Sequence, residues 1–267
     1  MIANFSVEYI CGRKFQLIAD TVFDTNILPR VDILKDKHII WCKINLVETL
    51  FDMIKGHTNR YILITHNGDW SIDEFFFHKR PRCIVKWFAQ NVNYKHVNLI
   101  PLPIGLENDE GPSKGGHTNY KYLIENVKVQ SYNKTNNVIY CNFNCSTNPI
   151  RESILEKVQA QCVVLVEKYI PYSSYCEQLK KFLFVLSPPG NGIDCHRTWE
   201  ALYFGCIPVV ERHFMYDSYS LPIIQVSDWL QINNDWLYEQ SKIMIYKYEM
   251  LTLTYWFDLI KKERDVL

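Results

Sequence analysis

Short, uninterrupted apolar runs alternate with amphipathic stretches of helical period along most of the chain. Ile39 to Ile44, Tyr61 to Ile64 and Ile84 to Ala89 show little polar alternation, the mark of strands buried on both faces. Between the first two, Val47 to Ile54 places apolar residues at 47, 50, 51 and 54, and Gly56 can stop the helix this period predicts. Strand, helix and strand in that order predict a parallel unit. Leu99 to Leu106 reads as a further strand. Before these, Phe15 to Ala19 is expected to be a strand and Asp20 to Pro29 irregular.

The second half repeats the scheme without repeating the sequence. Strands are predicted over Val138–Phe143, Val163–Val166, Phe182–Leu186, Cys206–Val210 and Ile223–Val226. Asn144 to Pro149 is a cap-and-proline signal that opens a helix with Arg151 in its first turn. Tyr172–Lys180 is expected to be helical, and so is most of Asp228–Lys262. Asn108 to Asn119 is a Gly-, Ser- and Lys-containing loop, in which Lys114 to His117 could touch a phosphate or an acceptor. Tyr120 to Val129 reads as a helix. The polar stretch Gln130 to Asn137 is expected to be a linker, so the boundary between two α/β domains, 1–132 and 133–250, is placed there.

Composition narrows the function classes. Lys plus Arg and Asp plus Glu are 29 each, and this zero balance gives no support to a nucleic-acid partner. The nine cysteines include no Cys-x-x-Cys pair, and no His spacing completes a zinc site, so reduced thiols in a cytoplasmic setting are expected. No apolar run reaches the roughly 20 residues that span a bilayer. The start of the sequence lacks the basic-then-apolar pattern of a secretion signal.

Chemistry concentrates after Phe182–Leu186. Ser187-Pro188-Pro189-Gly190-Asn191-Gly192 breaks all periodicity, and the glycines let a ligand approach the backbone. Asp194 is read as the N-cap of a short helix that Gly205 ends. His196 opens that helix. Arg197 and Glu200 lie three residues apart on one face. Arg197 in the first turn adds a positive fork to backbone N–H groups suited to an anion, while Glu200 can accept from hydroxyls; a diphosphate beside a ribose fits that spacing. Arg151 and Lys168 are further candidates for holding phosphate.

Arg197-x-x-Glu200-Ala201-Leu202 followed by Gly205-Cys206-Ile207-Pro208-Val209-Val210 resembles the nucleotide-sugar signature of the exostosin-like glycosyltransferases. Leu221-Pro222-Ile223-Ile224 with Ser227-Asp228-Trp229 is similar to that family's next strand and helix start. The resemblance covers about Phe182 to Trp229. Trp87 to Asn91 and Pro103 to Asn108 are similar, more loosely, to segments of bacterial and viral members. It implies a GT-B-like fold of two Rossmann-like domains whose parallel sheets face each other across a cleft. A C-terminal helix, 251–267, would cross back to the N-terminal, acceptor-binding domain. It implies transfer of a sugar, with inversion, from a nucleotide-sugar co-substrate to a hydroxyl of a glycan acceptor. The donor would be UDP-linked, with UDP-xylose the one to try first. Eukaryotic members of the family are usually membrane-anchored Golgi proteins, whereas this sequence reads as a viral or bacterial form working in the cytoplasm, host cytoplasm if viral. No cofactor and no metal are expected, in keeping with the absence of an Asp-x-Asp motif.

In the first half, Thr65-His66-Asn67-Gly68-Asp69-Trp70 follows a predicted strand, at the edge where open parallel sheets place ligands. His66 or Asp69 could take the acceptor hydroxyl's proton, with Asp73 and Glu74 as rivals. Asn67, Asn91 and Glu107 would border the acceptor. The alternative is a non-catalytic nucleotide- or sugar-binding module derived from such an enzyme. A dinucleotide-dependent oxidoreductase is disfavoured, because no third glycine follows Gly190 and Gly192 at the fingerprint spacing.

Overall fold

In a computed structural model, residues 9–24, 30–108, 134, 136–244 and 247–267 are described. The loop, helix and most of the linker expected between 108 and 137, including Lys114 to His117, lie outside them. The chain forms two compact units, Met1–Gly105 with Glu249–Leu267, and Leu106–Tyr248. Composition put the boundary near residue 132. Each unit is α/β and is built on a five-stranded parallel sheet.

The first sheet contains β1 (Thr21–Phe23), β2 (Ile39–Lys43), β3 (Tyr61–His66), β4 (Ile84–Ala89) and β5 (Leu99–Pro101). Its strands lie in chain order, β1-β2-β3-β4-β5, and every pairing is parallel. Helix α1 (Val47–Ile54) joins β2 to β3 and buries Val47, Leu50, Phe51 and Ile54, the four positions its period marked. A short helix α2 (Glu74–His78) precedes β4, with the Asp73 carboxylate accepting the Phe76 N–H at 2.7 Å.

Two expectations at the start are corrected. Phe15–Ala19 is no strand: Gly12–Ile18 forms a 3-10 turn that buries Gly12 and Phe15 three residues apart. The stretch expected to be irregular instead supplies β1, whose β-branched Thr21 and Val22 pair with Ile40 and Trp41. The expected strand over Leu99–Leu106 stops at Pro101, where Pro101 and Pro103 remove the donors a longer ladder needs.

Helix α8 (Leu253–Asp265) belongs to this first unit. Phe257 packs edge-on against Phe15 at 6.3 Å, Lys86 pairs with Glu263 at 2.9 Å, and Arg60 donates to the Leu267 carbonyl.

The second sheet contains β6 (Asn136–Cys141), β7 (Val164–Val166), β8 (Phe182–Leu186), β9 (Ile207–Glu211) and β10 (Ile224–Val226) in the order β10-β9-β8-β6-β7, again all parallel. After β6 the chain steps outward to β7. It then returns to the other side of β6 as β8, so the order reverses between β6 and β8. Helices α3 (Ile150–Gln159), α4 (Tyr172–Leu179), α5 (His196–Tyr203) and the single turn α6 (Phe214–Asp217) connect these strands. Ile139, Ile154, Val158, Phe184, Val209 and Trp229 are buried in one core cluster against the sheet.

The N-cap of α5 is Cys195, one residue beyond the expected Asp194. The Asp194 carboxylate instead accepts from Cys195 N at 2.9 Å and from the buried Trp199 indole at 2.8 Å. Gly205, at φ +66°, closes the helix. The long helical stretch expected after Asp228 is broken into 3-10 turns, α7 (Asn234–Lys242) and α8. Among the described residues no helix is long and apolar enough to cross a membrane.

Candidate functional site

The strand order of the second unit reverses between β6 and β8. In an open parallel sheet the helices on either side of a reversal diverge, leaving a crevice at the carboxyl ends of the two strands involved. Here those strands are β6 and β8, and the helices that follow their ends carry Arg151 and Arg197.

Both guanidiniums lie against one ring, that of Phe143, with Arg151 at 5.3 Å and Arg197 at 5.1 Å from its centroid. Arg151 is 4% exposed. Its Nε donates to the Pro189 carbonyl at 2.8 Å and its Nη1 to the Asn144 carbonyl at 3.0 Å. These bonds tie the loop after β6 to the turn after β8. Burial, and after it the like charge of Arg197, lowers the Arg151 pKa. Arg197 Nε donates to the Asn142 carbonyl at 2.8 Å, and its Nη1 is buried without a hydrogen-bond partner. Among the described residues neither guanidinium is ion-paired with a carboxylate. Two positive charges sharing one ring, one buried and one half-buried, with no acid paired to them among the described residues, are stabilised by a bound anion.

The Gly190–Gly192 turn is part of this construction. Asn148 Nδ2 donates to the Gly190 carbonyl at 2.8 Å, and Gly190 N–H donates to the Gly192 carbonyl at 3.1 Å. A Cβ on Gly190 would sit 2.8 Å from Arg151 Nη2. Gly190→Ala is therefore expected to push the Arg151 fork aside. The fold should survive with a loss of about 1 kcal/mol, while affinity for pyrophosphate falls about five-fold, read by calorimetry beside a thermal melt.

The other residues singled out from the sequence fall into two groups. Ser187 and Asp194 are interior: Ser187 Oγ and Thr198 Oγ1 share a hydrogen bond at 2.9 Å, and Asp194 holds Trp199. Asn191 and Lys168 are exposed, and Gly192 and His196 are half-buried, so these four line accessible surface. Glu200 is half-buried and engaged within the unit. One of its oxygens accepts from Tyr172 OH at 3.0 Å and the other from Tyr175 OH at 2.9 Å.

In the first unit, β3 ends on His66, which is 1% exposed beneath Phe15, the two rings stacking at 5.7 Å. Its Nε2 lies 3.1 Å from the Pro103 carbonyl, which can only accept, so Nε2 carries the proton. Nδ1 faces the Asn67 N–H at 2.9 Å and Asn67 Oδ1 at 3.1 Å. Both nitrogens are thus engaged within the unit. Asn67 and Asn91, at φ +61° and +51°, end the neighbouring strands β3 and β4 in the left-handed region. Gln90 bridges them, accepting from Asn67 N at 3.0 Å and donating to the Gly68 carbonyl. Asp69 and Glu107 are exposed.

No protein-family model matches the chain, and no curated protein matches it.

Phe143, Asn142, Asn144 and Asn148 were not singled out from the sequence. Asn142 and Phe143 read as the end of a strand, and Asn144 and Asn148 as part of a cap signal. Their role appears only when the strand order brings the ends of β6 and β8 together. Among the described residues no group of three His, Cys, Asp or Glu side chains could hold a metal ion. All nine cysteines are free thiols.

Proposed function

We propose that the second unit binds the diphosphate of a nucleotide-sugar and that the protein is a glycosyltransferase. The observation that carries this proposal is the pair Arg151 and Arg197, held at the strand reversal on one aromatic ring with no carboxylate among the described residues paired to them. A leaving nucleoside diphosphate gains negative charge as the glycosidic bond breaks. Fixed guanidiniums and nearby helix N-termini stabilise that charge without having to reorganise. The likeness of Arg197 to Val210 to the exostosin-like signature supports a sugar-linked donor over other phosphates, with UDP-linked sugars first.

The acceptor hydroxyl must lose a proton to a base within hydrogen-bond reach. Of the two candidates, Asp69 is exposed, whereas His66 spends both nitrogens on Pro103 and Asn67. We therefore assign the base to Asp69 and a supporting role to His66.

The test is a thermal-shift panel of UDP, GDP and their sugars, followed by assay of UDP release from UDP-sugars with added glycan acceptors. UDP at about a hundred times its dissociation constant should stabilise the protein by about 2.7 kcal/mol and raise the melting temperature by several degrees. If no nucleotide shifts the melt, the donor site is elsewhere. If UDP binds and no donor is turned over, the chain is a non-catalytic binding module.

A further inference from the structure

Arg197 and Glu200 stand three residues apart on α5, a spacing at which opposite charges ordinarily meet. They do not meet here. Both oxygens of Glu200 are taken by phenols of the neighbouring helix α4, Tyr172 at 3.0 Å and Tyr175 at 2.9 Å. The two tyrosines are themselves three residues apart, with ring centroids 5.7 Å from each other, so one face of α4 presents both hydroxyls to α5. Tyr175 is 6% exposed and also packs on Tyr140 at 6.1 Å, which fixes its ring. Arg197 turns the other way, to Phe143 and the Asn142 carbonyl, and keeps Nη1 without a partner.

We infer that Tyr172 and Tyr175 are positioning residues that draw Glu200 away from Arg197 and so keep the guanidinium uncompensated for an incoming anion. The inference deepens the donor-site proposal and rests on Arg197 being an anion ligand. A carboxylate relieved of two hydrogen bonds would seek the nearest cation, and Arg197 is one turn away on the same helix. The pair would then compete with phosphate for the same N–H groups. Burial, and then the Glu200 charge, raises the pKa of both phenols. They therefore stay protonated and able to donate across the working pH range.

The experiment compares pyrophosphate and UDP affinities, by calorimetry, for the wild-type chain, Tyr172→Phe/Tyr175→Phe and the same double variant carrying Glu200→Gln. The double variant should bind about ten-fold more weakly, and adding Glu200→Gln should restore affinity to within about two-fold of wild type. Rescue by removing a charge is not expected if the tyrosines only brace the helix. A double variant with unchanged affinity, or a triple variant as weak as the double, overturns the inference while leaving the donor site standing. Wild-type protein that binds neither ligand overturns the donor site and the inference with it. Should the double variant fail to fold, Tyr172→Phe alone carries the test, since its ring is less buried. It should weaken pyrophosphate binding about three-fold, with Glu200→Gln again restoring it.

Discussion

Arg197→Ala is expected to weaken UDP binding by about 10- to 100-fold while leaving the melting temperature of the unliganded protein almost unchanged. Hydrogen bonds to charged groups contribute roughly 1.5 to 3 kcal/mol each, and every 1.4 kcal/mol is ten-fold in affinity. The fold has little to lose at this position. Beside its contact with the Phe143 ring, Arg197 makes one hydrogen bond among the described residues, to Asn142, and its Nη1 is buried without any. Removing it also relieves the like-charge repulsion that helps lower the Arg151 pKa. Calorimetric titration of UDP beside a thermal melt in the same buffer separates the two effects. Arg197→Lys should recover only part of the loss, because an ammonium lacks the planar fork that matches phosphate. Unchanged UDP affinity in Arg197→Ala would remove the donor site from α5.

Gly105→Ala should have the opposite signature, a large loss of stability from a residue far in sequence from the arginines. Gly105 sits at φ +69°, where a side chain is strained, and an added Cβ would lie 2.4 Å from the Ile10 carbonyl oxygen. That oxygen is backbone, pinned next to the bridge between Cys11 and Gly105, so it has little room to yield. A destabilisation of about 2 to 4 kcal/mol follows from the strain and the clash together. Gly56→Ala is the control, since nothing lies within 4 Å of its added Cβ, and it should be neutral or slightly stabilising. Denaturant titration of the two variants would show the contrast. Equal midpoints would mean that the turn at Gly105 adapts.

Much of the α/β scheme was legible because strands covered on both faces carry runs such as Ile39-Ile40-Trp41 and Phe184-Val185-Leu186 that no other element needs. The helix at Val47–Ile54 was legible for the same reason, its four buried positions being the four apolar ones. Where the apolar signal was thin, it misled. Gly12–Ile18 contains one large buried side chain, Phe15, and a single residue cannot distinguish a period of two from a period of three. Strand order was not legible at all. The apolar runs of the two units look alike, yet one sheet is laid down in sequence order and the other reverses between β6 and β8.

The site shows the same division. Arg151 and Arg197 could be chosen from the sequence as first-turn cations, but their shared ring at Phe143 depends on the pairing of strands more than 40 residues apart. Glu200 was chosen for its ability to accept hydrogen bonds. The structure gives it two phenol donors that no local pattern could have assigned to it.

The first unit is discontinuous, with the whole second unit inserted between Gly105 and Glu249. During vectorial synthesis the whole inserted unit is translated before the helix at Leu253–Asp265 is made. Phe15 and Lys86 must therefore wait for Phe257 and Glu263 through the translation of more than a hundred intervening residues. The part of the protein that begins first is the part that is finished last, and until then its nascent core is open to chaperones and proteases.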